Sequence, residues 1–334
     1  MGRYVARRLL QFIPVIIGTL FLLHLLSVLT IQVVGDPVRA LFPENAPPEA
    51  ILEQMRREYN LDDDCLQTTG NPCIGLFFER MGQYFTGDFG INYRGRSVSA
   101  LFLERMPVTA RLTFIALVFE TIVGIILGVL AGLRKDKFVD NFVRFSTVLL
   151  IAFPVFVFGT LAQLFIGLEL GLRLRDTDWV PSWFAQMFTV TYNTDYPWLS
   201  LMLPGLVLGS FSLAAIARLT RTSLIENLRS DYVRTARAKG LSAGRRVGIH
   251  TLRNSLIPVV TYIGIDIGLL LGGALVTERI FNVPGVGLLV FQSIQSNDIP
   301  VVLGVITILT VVFLVANLIV DILYAALDPR IRYE

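Results

Sequence analysis

Apolar runs long enough to cross a bilayer recur along this chain, and they decide its class before any motif is read. The runs are Leu9–Val34, Val108–Leu133, Phe142–Leu168, Leu199–Ala217, Leu256–Val276 and Val301–Leu327. A helix needs about 20 predominantly apolar residues to cross the hydrocarbon core. The expected fold is therefore all-α and polytopic, with six transmembrane helices. Composition agrees: 54% of residues are hydrophobic and only 16% charged, with a mean hydropathy of +0.63. That balance excludes an ordinary soluble domain.

The net charge of +3 says less than where the charges fall. Threading six spans puts Arg134, Lys135, Lys137, Arg144, the loop 217–255, Arg330 and Arg332 on one side. Arg3, Arg7 and Arg8 precede the first run on that same side. The loop alone holds eight arginines and Lys239 against Glu226 and Asp231. Positive residues favour the cytoplasmic side, so both termini are expected inside. The first run exceeds the roughly 7–15 residues of a signal-peptide core and no small-residue cleavage site follows, so it is expected to remain as a span.

Between the first two runs the chain turns polar. Residues 35–107 carry Gly35-Asp36-Pro37, Pro47-Pro48 and Asp62-Asp63-Asp64, with helical spacing at Ile51, Met55 and Tyr59 and again at Phe77, Met81 and Phe85. A small extracytoplasmic helical subdomain is expected there. Cys65 and Cys73, the two cysteines, bracket a Thr68–Pro72 turn on the side where oxidation is permitted, and are expected to form a disulfide. No histidine lies beside them, so their spacing does not make a metal site. The expected organisation is 1–34 for the N-terminus and first span, 35–107 for the outer subdomain, and 108–334 for a five-helix core with a cytoplasmic loop at 217–255.

That loop carries the densest pattern: Ser230-Asp231-Tyr232-Val233-Arg234-Thr235-Ala236-Arg237-Ala238-Lys239-Gly240-Leu241. Ser230 is expected to cap a helix by accepting a bond from a first-turn N–H. Gly240 can end it in the left-handed conformation, and Ser242 starts a second helix. The result is a helix–glycine–helix elbow, with Ala236 and Ala238 leaving room for a close partner. On charge alone it is only a topology signal. The pattern is narrower than that. It resembles the EAA loop of permease subunits of ATP-binding-cassette importers. Asp231–Leu241 followed by His250-Thr251-Leu252-Arg253-Asn254-Ser255-Leu256-Ile257-Pro258 resembles the first-permease (B-type) branch of the dipeptide/oligopeptide importers. The likeness runs from the first span to Asp328-Pro329-Arg330. It departs at Arg234, where the general pattern has an acidic residue, and at Arg253, where it has a proline; a glutamate-mediated contact is not implied.

The resemblance implies one half of a transport pathway in a bacterial plasma membrane. It implies as partners a second, paralogous permease, two ATPase subunits and an extracytoplasmic peptide-binding protein. ATPase coupling would fall to Asp231, Tyr232, Arg234, Thr235, Ala236, Arg237, Ala238, Lys239, Gly240 and Leu241. ATP and Mg would belong to the ATPases, with no cofactor in this chain. The same machinery importing nickel chelate, glutathione or an oligosaccharide remains open. From the residues themselves, no G-x-x-x-x-G-K-[ST] occurs, so there is no P-loop. Neither H-E-x-x-H nor G-x-S-x-G occurs, and His24 and His250 are the only histidines, so an enzyme is not expected. A stand-alone channel or receptor is the rival from another class.

Ionisable groups within the spans are costly and mark packing partners or wet pathways. Glu120 and Asp266 are pathway candidates, each against the reading of a buried hydrogen bond. Asp266 sits in Gly264-Ile265-Asp266-Ile267-Gly268, ahead of Gly272-Gly273. Asp321 belongs to the ending that resembles the family's, which implies a structural role. His24 is expected to hydrogen-bond between helices. Glu278, Phe281, Pro284 and Gly285 match the family's E-x-x-F-x-x-P-G segment and are outer-gate candidates, with a plain interfacial helix as the alternative.

Overall fold

The computed structural model describes residues 2–40, 42, 47–59 and 61–327. Helices dominate, as a bilayer demands, because only internal hydrogen bonds satisfy a backbone there. Among the described residues β structure is limited to one isolated antiparallel bridge, Ile91 to Ser97. In chain order the principal helices begin with α1 (Gly2–Val34), α2 (Glu49–Glu58), α3 (Ile74–Phe85) and α4 (Val98–Leu133). Next come α5 (Phe138–Ala152), α6 (Val155–Arg175), α7 (Met202–Leu228) and α8 (Asp231–Ala238). The chain continues through α9 (Ala243–Ser255), α10 (Ile257–Ile280), α11 (Val286–Gln295) and α12 (Ile299–Leu327).

α1, α4, α6, α7 and α12 are long and apolar enough to cross a membrane, and α9 with α10, bent by 47°, supplies a sixth span if taken as one. Several ends shift from the expected ones: α4 begins at Val98 and α7 runs on to Leu228, and proline accounts for one break and one bend. The run Phe142–Leu168 is interrupted because Pro154 disfavours helix at Phe153, whose ψ is 132°. The span is Val155–Arg175 instead. Pro258 sits in the first turn of α10. With no N–H to give Asn254, it fits the start of a helix, and the bend falls just before it.

The described chain forms two compact units, 1–107 with 285–334, and 108–284. The expected five-helix core 108–334 is therefore divided: α12 packs along α1, and α11 packs on α12. Asp321 lies on α12, but its side chain is outside the described residues, as are Arg330, Arg332 and the Asp328-Pro329-Arg330 ending.

In the first unit, Val28 and Ile31 of α1 join Val38, Leu52, Leu61, Leu66 and Leu76 in a small apolar core. The buried faces of α2 and α3 follow the expected spacing only in part. Met55, Tyr59 and Phe77 pack inward as expected, but Ile51 is exposed and Phe85 is 80% exposed, while Leu52, Leu76 and Arg80 are buried. Both stretches have apolar residues at adjacent positions, so spacing alone left the register open. Cys65 and Cys73 are joined, with Cα atoms 5.5 Å apart. α1 grips the bridged loop. His24 Nε2 donates to the carbonyls of Pro72 and Cys73, each at 3.1 Å. Gln32 Nε2 donates to Asn71 O at 2.9 Å, and its Oε1 accepts from Gly70 N–H at 3.0 Å. His24 thus bonds loop carbonyls rather than a second helix.

In the second unit α4 and α7 approach through glycines. A Cβ on Gly124 would meet Ile216 Cγ2 at 2.8 Å, and one on Gly128 would meet Thr220 Cβ at 2.5 Å. Gly132 faces Leu224, and from the other side Gly205 and Gly209 face Ile115 and Ala116. Close backbone approach of this kind is what joins helices in lipid, where the hydrophobic effect does not. α10 packs on α7, and Leu112, Leu201, Leu270, Ala274 and Phe281 fill the core between them.

Candidate functional site

The elbow is built as a stop, a turn and a restart. α8 ends in a Schellman motif: Gly240 N–H donates to Arg237 O at 3.0 Å and Leu241 N–H to Ala236 O at 3.2 Å. Gly240 has φ +78°, where a Cβ is strained. Ser242 then precedes α9, its carbonyl accepting from Arg246 N–H at 2.9 Å. α9 is widened by a π-helical turn at Arg246–Thr251. It is tied to α7 by Ser255, whose Oγ donates to Thr251 O at 2.9 Å and approaches Ser223 O at 3.4 Å.

Two expectations are corrected here. Ser230 starts α8 with extended backbone (ψ 155°) but makes no side-chain cap bond. Its hydroxyl donates to Asn227 O at 2.5 Å, closing the end of α7 instead. Ala236 does not leave room for a partner. It is buried with Val233, because the inner face of α8 packs on the Arg246–Thr251 turn of α9. Asp231, Tyr232, Arg234, Thr235, Arg237, Ala238, Lys239 and Gly240 are exposed, and Leu241 is half-buried. Tyr232 is oriented by its hydroxyl, which donates to Asn227 Oδ1 at 2.8 Å. The outward face is thus a tyrosine among Arg234, Arg237 and Lys239. On the α7 side of the loop, Asp140 on α5 takes Arg221 of α7 in a bidentate pair at 2.5 and 2.7 Å. The guanidinium holds the Asp140 carboxyl below the usual range, and the N–H of Asp136 adds to that.

Glu120 and Asp266 come together. Their carboxyl groups, from α4 and α10, lie near one another, although neither Glu120 oxygen nor Asp266 Oδ2 has a hydrogen-bond partner among the described residues. Ser212 of α7 donates to Asp266 Oδ1 at 2.8 Å, and the Tyr262 hydroxyl lies against Ser212 and Asp266. Both acids are buried, at 0% and 2% exposure, so neither lines an open passage in this conformation. Three membrane helices meet at one polar knot.

The outer-gate candidates are likewise interior. Glu278 is fully buried and its Oε1 accepts from Thr109 Oγ1 at 2.6 Å. Phe281 is fully buried in the core. α10 stops by another Schellman motif, Val283 N–H to Glu278 O at 2.9 Å, around Asn282 at φ +47°. Pro284 follows the stop and Gly285 begins the turn before α11, half-buried and buried in turn.

The family described as the inner membrane component of binding-protein-dependent transport systems matches residues 124–333. A dipeptide transport system permease protein of Haemophilus influenzae is 36% identical over 351 aligned residues, with 100% of each chain covered. The chain belongs to this permease family. A glutathione transport system permease protein of Escherichia coli is 36% identical over 339 residues, and a dipeptide transport system permease protein of Alkalihalophilus pseudofirmus 33% over 356, each with 100% of both chains covered. As such a permease the protein is a multi-pass membrane subunit of an ATP-binding-cassette importer, a transport component rather than an enzyme. The matched stretch contains the elbow, the Asp140–Arg221 pair and Asp266. Residues of the permease that motif reading passed over are Gly124, Gly128 and Gly132, whose four-residue repeat was a usable signal. Asp140 and Arg221 were also passed over, and their pairing left no local trace in the sequence.

Proposed function

We propose that the protein imports small peptides. It forms half of a translocation pathway with a second, paralogous permease, in a bacterial plasma membrane with both termini cytoplasmic. Two ATPase subunits, which hold the ATP and Mg, dock on the elbow, and an extracytoplasmic binding protein delivers the peptide. What carries this reading is the exposed face of α8, set by the Gly240 stop and backed by α9, which continues into α10. A push on α8 therefore reaches a membrane helix through a short, hydrogen-bonded path. Alternating access follows: nucleotide-driven ATPase closure moves α9 and α10, and the Glu120–Asp266–Ser212 knot is the contact between α4, α7 and α10 that must rearrange. The full-length likeness to dipeptide and glutathione permeases supports a peptide cargo over a nickel chelate or an oligosaccharide.

Purification and reconstitution test it. The permease should bring down an ATPase, and vesicles containing the complex with its binding protein should take up labelled dialanine only with ATP. A chain that purifies alone and conducts without ATP is a channel, and the proposal fails.

A further inference from the structure

The hairpin at 90–97 and the joint between α11 and α12 border a half-open cavity of about 370 Å3 that the transport reading does not use. Small-ligand pockets run from roughly 300 to 1,000 Å3. The basic wall is organised by the chain itself. Asn92 is buried, and its Oδ1 accepts from the backbone N–H groups of Arg94 at 3.0 Å and Arg96 at 2.7 Å. Gly95, at φ +72°, completes the turn. Arg96 is engaged by Glu104 at 2.6 Å. The Arg94 guanidinium makes no hydrogen bond or ion pair among the described residues, and Arg105 lines the same cavity.

The acidic group of the cavity is Asp298. α11 ends in a Schellman motif around Asn297 (φ +53°), with Asp298 N–H donating to Ser293 O at 2.8 Å. Asp298 thereby becomes the residue before α12. Burial pushes its carboxyl above the usual range, and the N–H groups of Val301 and Tyr93, with the Arg94 charge, oppose that. Its Oδ1 is buried without a hydrogen-bond partner. Groups of both signs thus line one half-open cavity.

We propose that this cavity binds the two charged ends of a small peptide, its carboxylate taken by the Arg94 guanidinium and its ammonium by Asp298. The inference rests on the peptide-import reading and adds an extracytoplasmic subsite to it. An arginine fork matches a carboxylate with two parallel N–H···O bonds. A docking surface for an acidic protein loop would gain nothing from Asp298, whose charge repels such a loop. A zwitterion uses both.

Binding is measured on the assembled importer in lipid nanodiscs with three probes: dialanine, dialanine amide and N-acetyl-dialanine. Wild type should bind dialanine about tenfold more tightly than either blocked form. Arg94→Gln should weaken dialanine by a similar factor and leave the amide unchanged. Arg94→Lys, which keeps the charge and loses the fork, should fall between. Asp298→Asn preserves the cap of α12, since asparagine caps as well as aspartate; it should weaken the amide and leave the N-acetyl form unchanged. Wild type that binds all three probes alike, or none, overturns the proposal, as do variants that bind them as wild type does. Variants that lose the binding protein in pull-down yet keep the wild-type probe pattern mark a protein-docking surface and overturn it too. ATP-driven dialanine uptake separates the two levels. No uptake by wild type removes peptide import itself, whereas uptake with probe binding indifferent to Arg94 and Asp298 removes only the subsite.

Discussion

Asp140 gives both carboxylate oxygens to Arg221 while itself fully buried, with Arg221 only 18% exposed. Its pKa in the fold lies below the unfolded value of 3.8. The stabilisation is therefore complete above that value and is lost as pH falls through the folded one. Asp140→Ala leaves a half-buried guanidinium without its carboxylate. It should cost about 1.5–3 kcal/mol, read as a lower unfolding temperature at pH 7, with the gap to wild type closing in acid. Gly128→Ala pushes a methyl into Thr220 and should cost about 1–3 kcal/mol. Gly244→Ala, where a Cβ meets nothing within 4 Å, should be neutral in the same assay. The glycine repeat was legible from spacing, yet sequence reasoning gave the weight to Gly264, Gly268 and Gly272-Gly273, and a Cβ on Gly272 meets nothing within 4 Å. Glu120 and Asp266 were legible as singular charges, but not as a pair. Nothing local records a contact between helices so far apart in the chain. Asp266→Asn retains a group that can bond Glu120 and Ser212, so assembly should survive while transport changes. Asp266→Leu strands the Ser212 hydroxyl in the bilayer and should cost about 1–3 kcal/mol in thermal stability. Equal stability of the two variants would deny the knot any structural weight.

Among elements, the ends were easier to read than the faces. Gly240 announces its stop because only glycine accepts φ +78° without strain, and the structure uses it that way. Ser230 announced a cap that is not made, since a hydroxyl can donate backward as readily as accept forward, and the end of α7 also needs a partner. Pro154 was visible in the third apolar run, but hydropathy alone bridged it. Its effect on Phe153 is conformational, not a matter of polarity. The inner face of α8 was misread for a related reason: alanine suits both a partner's approach and burial, and only the fold of α9 against it decides. The Cys65–Cys73 bridge closes a short loop held by His24 and Gln32 of α1. Peptide mapping without reductant should recover the two cysteines linked. Reduction should loosen the loop and expose its amides to exchange, and two free thiols in untreated protein would contradict the bridge.

For the molecule as a whole, the recurrence of membrane-length helices, five or six with the bent pair taken as one, was written in the hydropathy, and their grouping was not. The last helix packs with the first, so its place in the expected core 108–334 followed chain order where the contacts follow space. The fold class was readable because the bilayer leaves a chain few options. The function was readable because one loop carries a pattern that topology alone does not require. The central claim is that this loop, turning at Gly240, transmits ATPase closure to the membrane helices. Gly240→Val tests it most directly, because a β-branched residue at φ +78° is strained by about 1–2 kcal/mol and must redirect α9 or lose the stop. No Cβ clash confuses the result, since nothing lies within 4 Å of the position. The measurement is ATP-driven dialanine uptake, with ATPase retention, in vesicles holding the complete importer. Normal insertion and permease pairing with uptake abolished, through a detached or uncoupled ATPase, is the predicted result. Wild-type uptake with the ATPase still bound would contradict it and reduce the elbow to a charged loop.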